Sequence, residues 1–403
     1  MRILITNNTL ANRAGTELYV RDLAIGLRER GHEPIAYSTR LGEVAREIRA
    51  AGVGVIDDLN SIAEPPEIIH GHHHLDTMAA LLHFPTTPAI FVCHGSRPWE
   101  EAAPLFPRIL RYVAVDHACR DRLLLEHAIR PDRVELILNF VDLERFKPRT
   151  GLPARPRRAL IFSNLADERT HLPALRTACK RAGILVDVVG LNAGKVCAQP
   201  ESILGNYDVV FAKGRAALEG LAVGTAVVLC DATGAGPMVS MKNVEYLRLL
   251  NFGLRALKET PGSEVILRAL DQYDPLDAAN VCSFIRAGAG RNEAVEKFLS
   301  LYEDVINENG RLRNTEAKDE YGAVAAYLRE LRPRLQTVEL LTAKADRLDR
   351  IMNSPSWQLI SRCIGIRRRF LDVVSLLSNR RSRPKTNRAD NTARAETSCN
   401  EAD

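Results

Sequence analysis

The sequence predicts an α/β protein of two Rossmann-like lobes with a cleft between them, followed by a helical C-terminal extension. Three observations carry this. Short apolar runs alternate with amphipathic helical stretches through the first 140 residues, the pattern of a parallel sheet covered on both faces. Residues 147–157 (KPRTGLPARPR) then place three prolines and a glycine among basic residues, which reads as a linker. The alternation resumes after it and gives way beyond about residue 290 to helical patterns alone.

In chain order, residues 2–6 (RILIT) read as a strand and 17–30 as a helix, with Leu18, Leu23, Ile25 and Leu27 apolar and Gly31 closing it. Residues 33–38 form a second strand and 41–51 a second helix, and further strands are expected at 67–70, 88–94, 112–115 and 134–138. The second lobe offers strands at 159–163, 184–189, 208–212 and 225–230, with helices at 171–182 and 214–222. Residues 317–352 have the spacing of a long amphipathic helix. The last 25 residues are polar and expected to be disordered. The domains expected are a first, acceptor-side lobe over 1–147, a second, donor-binding lobe over 148–285, a closing helix at 286–310, a helical extension at 311–378 and a basic, polar tail at 379–403.

The 403 residues, 46% hydrophobic, suffice for two cores and an appendage. A net charge of +5 is too mild to argue for nucleic acid. The eight cysteines include no C-x-x-C pair, so neither a zinc site nor a redox dithiol is signalled. Cys93 and Cys230 sit within apolar runs, which suits a reducing cytoplasm. No secretory signal and no run of 18 apolar residues is visible, so no spanning helix is expected. The chain start lacks G-x-G-x-x-G, which argues against a nicotinamide or flavin cofactor.

The sharpest local signal is KGRAALEGLAVGTAVVLCD, residues 213–231. Gly214 opens a short helix directly after a strand, where free N–H groups attract phosphate oxygens. Lys213 and Arg215 add charge beside it, and Glu219 lies far enough into the helix to accept ribose hydroxyls. On spacing alone, a solvated helix carboxylate is the other reading of Glu219.

This segment resembles the donor-binding helix of the family 4 retaining glycosyltransferases, which have the GT-B fold and the pattern E-x7-E followed by A-x-A-x-G-x-P-V-V. Glu219 matches the second glutamate, the ribose ligand; Phe211 stands where the first would be. ILNFVDLERFKP (137–148) resembles the family's N-G-V-D-x-x-x-F-x-P signature, with Phe140 in place of the glycine. AGTELYVRDLAIGLRERGHE (14–33) resembles the loop and helix after the first strand, which puts Gly15 and Thr16 near the donor diphosphate. FVCHG (91–95) resembles the strand ending in His–Gly, which gives His94 the catalytic position, bonded to the donor sugar or the reacting oxygen. The resemblance covers roughly residues 1–310.

The family's Arg and Lys for phosphate fall in SNLADERTHLP (163–173), where Arg169 or His171 substitutes, and the loop TGAGPMVS (233–240) either supplies further N–H groups or is a plain turn. HGHHHLD (70–76) lacks the partners of a metal site, and its similarity to the V-V-H-A-H segment common in the family implies that His70 and His72 line the acceptor side of the cleft.

The resemblance implies sugar transfer, with retention, from a nucleotide-sugar donor to a glycan or lipid-linked acceptor in cell-surface polysaccharide assembly, with no cofactor and no metal. A nucleotide-sugar epimerase of the same fold and a catalytically silent nucleotide-binding partner protein are the alternatives. Residues 353–385 join Trp357, Leu359 and Ile360 to Arg367, Arg368 and Arg369, which suits an interfacial helix on an anionic membrane. That pattern implies a cytoplasmic protein held at the inner face of the plasma membrane.

Overall fold

The computed structural model describes residues 1–311 and 317–363. Its first seven strands are β1 (Arg2–Thr6), β2 (Glu33–Tyr37), β3 (Gly54–Ile56), β4 (Ile68–His72), β5 (Ala89–Cys93), β6 (Ile109–Ala114) and β7 (Val134–Leu136). They form one parallel sheet in the order β3-β2-β1-β4-β5-β6-β7. Every residue of β4 and β5 is buried, as expected where helices cover both faces and strands read as continuous apolar runs. The covering helices are α1 (Gly15–Glu29), α2 (Glu43–Ala50), α3 (His74–His83) and the short α4 (His117–Asp121). Strand β3 and helix α3 had no sequence reading: β3 is three residues long, and α3 begins inside the histidine run.

The second sheet holds β8 (Arg158–Phe162), β9 (Leu185–Val189), β10 (Val209–Ala212), β11 (Ala226–Asp231) and β12 (Gly234–Met238), ordered β12-β11-β10-β8-β9. Around it lie α5 (Leu172–Arg181), α6 (Gly214–Val223), α7 (Val244–Leu249), α8 (Ser263–Leu270) and α9 (Pro275–Gly288). The Gly/Pro stretch at 233–240 is largely β12, an antiparallel edge strand on β11. The Ala235 N–H is spent on Glu259 O at 2.7 Å, and none of residues 233–240 lines the cavity between the two sheets.

The closing segment divides in two. Residues 286–288 end α9, and α10 (Arg291–Arg311) starts anew after a break at which Val141 N–H donates to Ala289 O and Arg291 N–H to Val141 O, both 2.9 Å. Thus the two passages of the chain between lobes lie side by side. Helix α10 then buries Val295, Phe298, Tyr302 and Val305 in the core of the first lobe, 150 residues after the chain left it.

Helix α11 spans Ala317–Met352, and residues 355–363 are again helical. Most of the expected interfacial segment 353–385, and all of the tail 379–403, lie outside the described residues.

Candidate functional site

Ligands of open α/β sheets bind beyond the carboxyl ends of the strands, where the strand order reverses. Both sheets here turn those ends toward one cavity of about 410 Å³. The first lobe contributes Gly15 at the start of α1 and His94 just after β5. The second contributes Ser163 after β8, Gly190 after β9, the Lys213–Ala216 start of α6, and Asp231 ending β11. Gly190 is required there: a Cβ would lie 1.9 Å from Ser163 O, so only glycine lets the ends of β8 and β9 approach this closely.

Two helix N-termini from opposite lobes, those of α1 and α6, open on this cavity. Gly214 starts α6 at φ +57°, a conformation glycine adopts without strain, and a Cβ there would meet nothing within 4 Å. Its own N–H is taken by Phe252 O at 2.9 Å, so the next N–H groups of the first turn are those left for an anion.

The charged groups are mutually engaged. Arg215 donates through Nε to Glu219 Oε1 at 2.8 Å and through Nη2 to Asp22 of α1, which ties the lobes together at the back of the cleft. Asp22 also takes Arg21 at 2.7 Å and faces Arg145 at 3.6 Å. Burial alone would raise the Asp22 pKa, but Arg215 and Arg21 outweigh it and hold the carboxyl below its usual range. Glu219, with one guanidinium and Asp22's repulsion, goes the other way: burial wins and raises its pKa. Its Oε2 has no partner among the described residues and is not shut off from the cavity. Lys213 pairs with Asp231, which also accepts from Ser163 Oγ at 2.8 Å.

Of the sequence-predicted donor residues, Gly15, Gly214, Arg215 and Glu219 therefore share one cavity. Arg215 is a clamp between the lobes. Thr16 lines an adjoining cavity. Arg169 is exposed beyond the rim and is not among the cavity's lining residues; its backbone N–H donates to Asp167 Oδ1. Phe211 is fully buried in the core beneath β10, and the connection from β10 to α6 is the single residue Lys213.

The second cavity, about 400 Å³, lies over the first lobe and shares His94, Arg215 and Asn251 with the first. His94 Nε2 is 2.7 Å from His72 Nδ1, and its ring meets Tyr19 edge-on at 4.6 Å. Burial, then the neighbouring His73 and His70, hold the His94 pKa well below its ordinary value. Both rings of the pair are thus neutral at pH 7. His72 Nε2 is buried without a partner. A buried unpaired N–H is rarer than an unpaired acceptor. The favoured tautomers therefore have His72 Nδ1–H donating to His94 Nε2, which leaves an N–H on His94 Nδ1. No partner among the described residues takes that nitrogen, and it is not shut off from solvent.

His70 and His72 do not line the acceptor side of the cleft, contrary to the sequence reading. Both are 0% exposed. Side chains two apart on β4 share a face, and here α10 covers it: His70 Nδ1 bonds the Tyr302 hydroxyl, and its ring packs on Phe298 at 5.0 Å. Of the histidine run, the residue that lines this second cavity is His73, at φ +60°. His74 turns to the Tyr327 hydroxyl at 2.7 Å. The four histidines diverge to different partners, and among the described residues no three His, Cys, Asp or Glu side chains converge as an ion site.

Glu101 lines the same cavity and carries no motif signal. It is buried, takes the His94 backbone N–H at 2.9 Å and lies 3.5 Å from His73 Nε2. Burial, opposed by that hydrogen bond, pushes its pKa up to about 7. Phe140, at the glycine position of the N-G-V-D signature, fills part of the wall against Tyr19 at 4.7 Å.

Residues 13–145 match the model of Glycosyltransferase Family 4. No curated protein matches the chain. Among solved structures it is similar to a glycosyltransferase from Rickettsia africae, with a TM-score of 0.57, 15% identity and coverage of 76% of this chain and 98% of that one. It is also similar to the Anabaena protein HepE in complex with UDP and glucose, with a TM-score of 0.53, 13% identity and coverage of 75% and 100%. A sucrose-phosphate synthase from Thermosynechococcus elongatus gives a TM-score of 0.50, 12% identity and coverage of 76% and 99%. The shared fold is GT-B: two α/β lobes with the ligand cleft between them.

Proposed function

We propose that this chain, a GT-B protein whose residues 13–145 match the Glycosyltransferase Family 4 model, transfers a sugar from a nucleotide-sugar donor to a glycan or lipid-linked acceptor in cell-surface polysaccharide assembly. One observation carries the reading: a cavity flanked by two helix N-termini and a carboxylate adjoins a second cavity, and His94 stands in the wall of both. A nucleoside diphosphate suits the first and an acceptor hydroxyl the second.

In this account Glu219 Oε2 accepts the ribose hydroxyls, and the diphosphate lies against the starts of α1 and α6. Charge that develops on the leaving phosphate is met by preorganised N–H groups. His94 Nδ1–H donates to the sugar or the reacting oxygen, and Glu101 takes the proton released by the acceptor hydroxyl. Anomeric retention is part of the proposal.

A thermal-shift screen of nucleoside diphosphates and their sugars tests it, since a ligand that binds the folded state raises its melting temperature. Stabilisation by a nucleotide sugar, followed by transfer to an acceptor, is the expected result. No stabilisation, or epimerisation of donor without acceptor, overturns the reading.

Glu219→Ala is expected to weaken binding of the nucleoside diphosphate by about 1–3 kcal/mol, the scale of a lost hydrogen bond to a charged group. Calorimetry measures this directly, and an unchanged affinity removes Glu219 from the ribose site.

Turnover is expected to persist in EDTA, because helix N-termini rather than an ion meet the leaving group's charge. If chelation abolishes activity and one divalent ion restores it, that account fails.

Attachment to an anionic membrane through residues 353–385 completes the proposal. Trp357, Leu359 and Ile360 are 40%, 65% and 48% exposed. Each basic residue near such a surface contributes about 1 kcal/mol. No helix among the described residues is long and apolar enough to cross a membrane. Co-sedimentation with anionic vesicles is expected for the full chain and not for a chain ending at residue 350; equal behaviour of the two excludes the segment.

A further inference from the structure

We infer that Asn251 fixes the sugar of the donor, by donating a hydrogen bond from its carboxamide to a sugar hydroxyl where the two cavities meet. The inference rests on the donor reading above and adds a residue that no motif marks.

Its backbone is the first sign. Asn251 and Phe252 take successive left-handed conformations, φ +52° and +51°. Asparagine tolerates this region, but a bulky aromatic there is an outlier of the kind that clusters at functional sites. The surroundings hold it in place. The Phe252 ring is 0% exposed in the core of the second lobe. Its N–H donates to Leu247 O at 2.9 Å, and its carbonyl accepts the N–H of Gly214, also at 2.9 Å. The turn after α7 is thus clamped to the first residue of α6, which sets Asn251 beside the diphosphate end of the donor cavity.

The side chain is the second sign. Asn251 is 9% exposed, yet its carboxamide makes no hydrogen bond with any described residue. Oδ1 is shut off from solvent without a partner, whereas Nδ2 is not, so Nδ2 is the end that faces the opening. A buried, unpaired amide is costly unless a ligand completes it.

Position is the third. Three polar side chains line both cavities: His94, Arg215 and Asn251. Arg215 is held by Glu219 and Asp22. His94 and Asn251 remain, both neutral donors, one on each lobe. Neutral donors suit hydroxyls, whereas the diphosphate has the helix N-termini. Between them they would grip a sugar from opposite sides.

The test uses calorimetry on the full chain with UDP-, GDP- and ADP-glucose and with the three free diphosphates. Asn251→Gly accepts φ +52° without steric cost, so the variant should melt no lower than the wild type. Asn251→Asp keeps the size and lacks the Nδ2 donor. For whichever donor the wild type binds, both variants are expected to bind the sugar nucleotide about tenfold more weakly, the loss of one hydrogen bond. Their affinity for the matching diphosphate should be unchanged. In the transfer assay kcat should fall with donor saturating, which a merely structural role would not produce in a variant of undiminished stability. Equal sugar-nucleotide affinity in wild type and both variants overturns the inference. A parallel loss of diphosphate affinity does so too, because it assigns the residue to folding or to phosphate. Failure of the wild type to bind any of the six ligands instead overturns the donor reading itself, and this inference with it.

Discussion

Replacing His94 by alanine is expected to lower kcat by about 10²–10³-fold, the range for loss of one preorganised hydrogen-bond donor at a reacting centre. Affinity for the free nucleoside diphosphate should stay within a factor of two or so, because His94 lies beyond the phosphate end of the cavity. The reasoning starts from the pair with His72. With His72 Nδ1 and His94 Nε2 at 2.7 Å, the second nitrogen of His94 is fixed in direction as well as in protonation. Burial and the neighbouring histidines keep the ring neutral, so it acts as a donor and not as a cation. The rate should therefore show no ionisation of His94 at the ordinary histidine value of about 6.5. Steady-state kinetics with both substrates, paired with calorimetry of the diphosphate, separates the two effects. A kcat within threefold of the wild type excludes His94 from the reacting centre. A matching loss of diphosphate affinity moves it to the phosphate site. His72→Ala gives an independent arm: it leaves His94 in the cavity wall but frees its tautomer, and should reproduce part of the loss.

The strands were legible because parallel strands buried on both faces are continuous apolar runs, and AIFVC and ALIF announce themselves. Strand β12 was not, because GAGPM has the composition of a turn. An edge strand bonds on one side only and tolerates such residues, Pro237 included. Within the site, Gly214 and Glu219 were readable from a glycine opening a helix after a strand, a local pattern. His70 and His72 were misread because alternation shows that two side chains share a face of β4 and cannot show what covers it. The cover is Tyr302 and Phe298 of α10, which arrive some 230 residues later. Arg215 was readable as a cation at the start of α6, but its partner Asp22 is 193 residues away, and only folding reveals that much of its charge is engaged. Asn251 and Glu101 carry no local pattern; a left-handed backbone in one case and burial in the other make them distinctive.

The largest effect on stability is expected from Asp22→Ala. Asp22 is 1% exposed and sits among Arg21, Arg215 and Arg145. Removing one partner of a buried ion pair costs about 3–5 kcal/mol, because the remaining charge stays out of water without compensation. Here three guanidiniums lose a carboxylate at once, although Glu47, Glu219 and Glu201 still engage them and keep the loss within that range. Equilibrium unfolding in denaturant at pH 7 measures it; a difference under about 0.5 kcal/mol, the level of an ordinary surface substitution, refutes the account. The pH dependence follows from the direction of the shift. The Asp22 pKa in the folded chain lies below its usual 3.8, so its contribution is fully present above that value and is lost as the pH falls through the lower, folded-state value. The gap between wild type and variant should hold constant from pH 8 to pH 5 and close only in more acid solution. The same substitution should also reach the site. Asp22 lies on α1 and Arg215 on α6, and their contact holds the two helix N-termini on either side of one cavity. Without it the termini are free to separate, and the nucleoside diphosphate should bind more weakly even where the variant remains folded. A variant that is destabilised but binds the diphosphate as tightly as the wild type would show that the pair serves the fold alone.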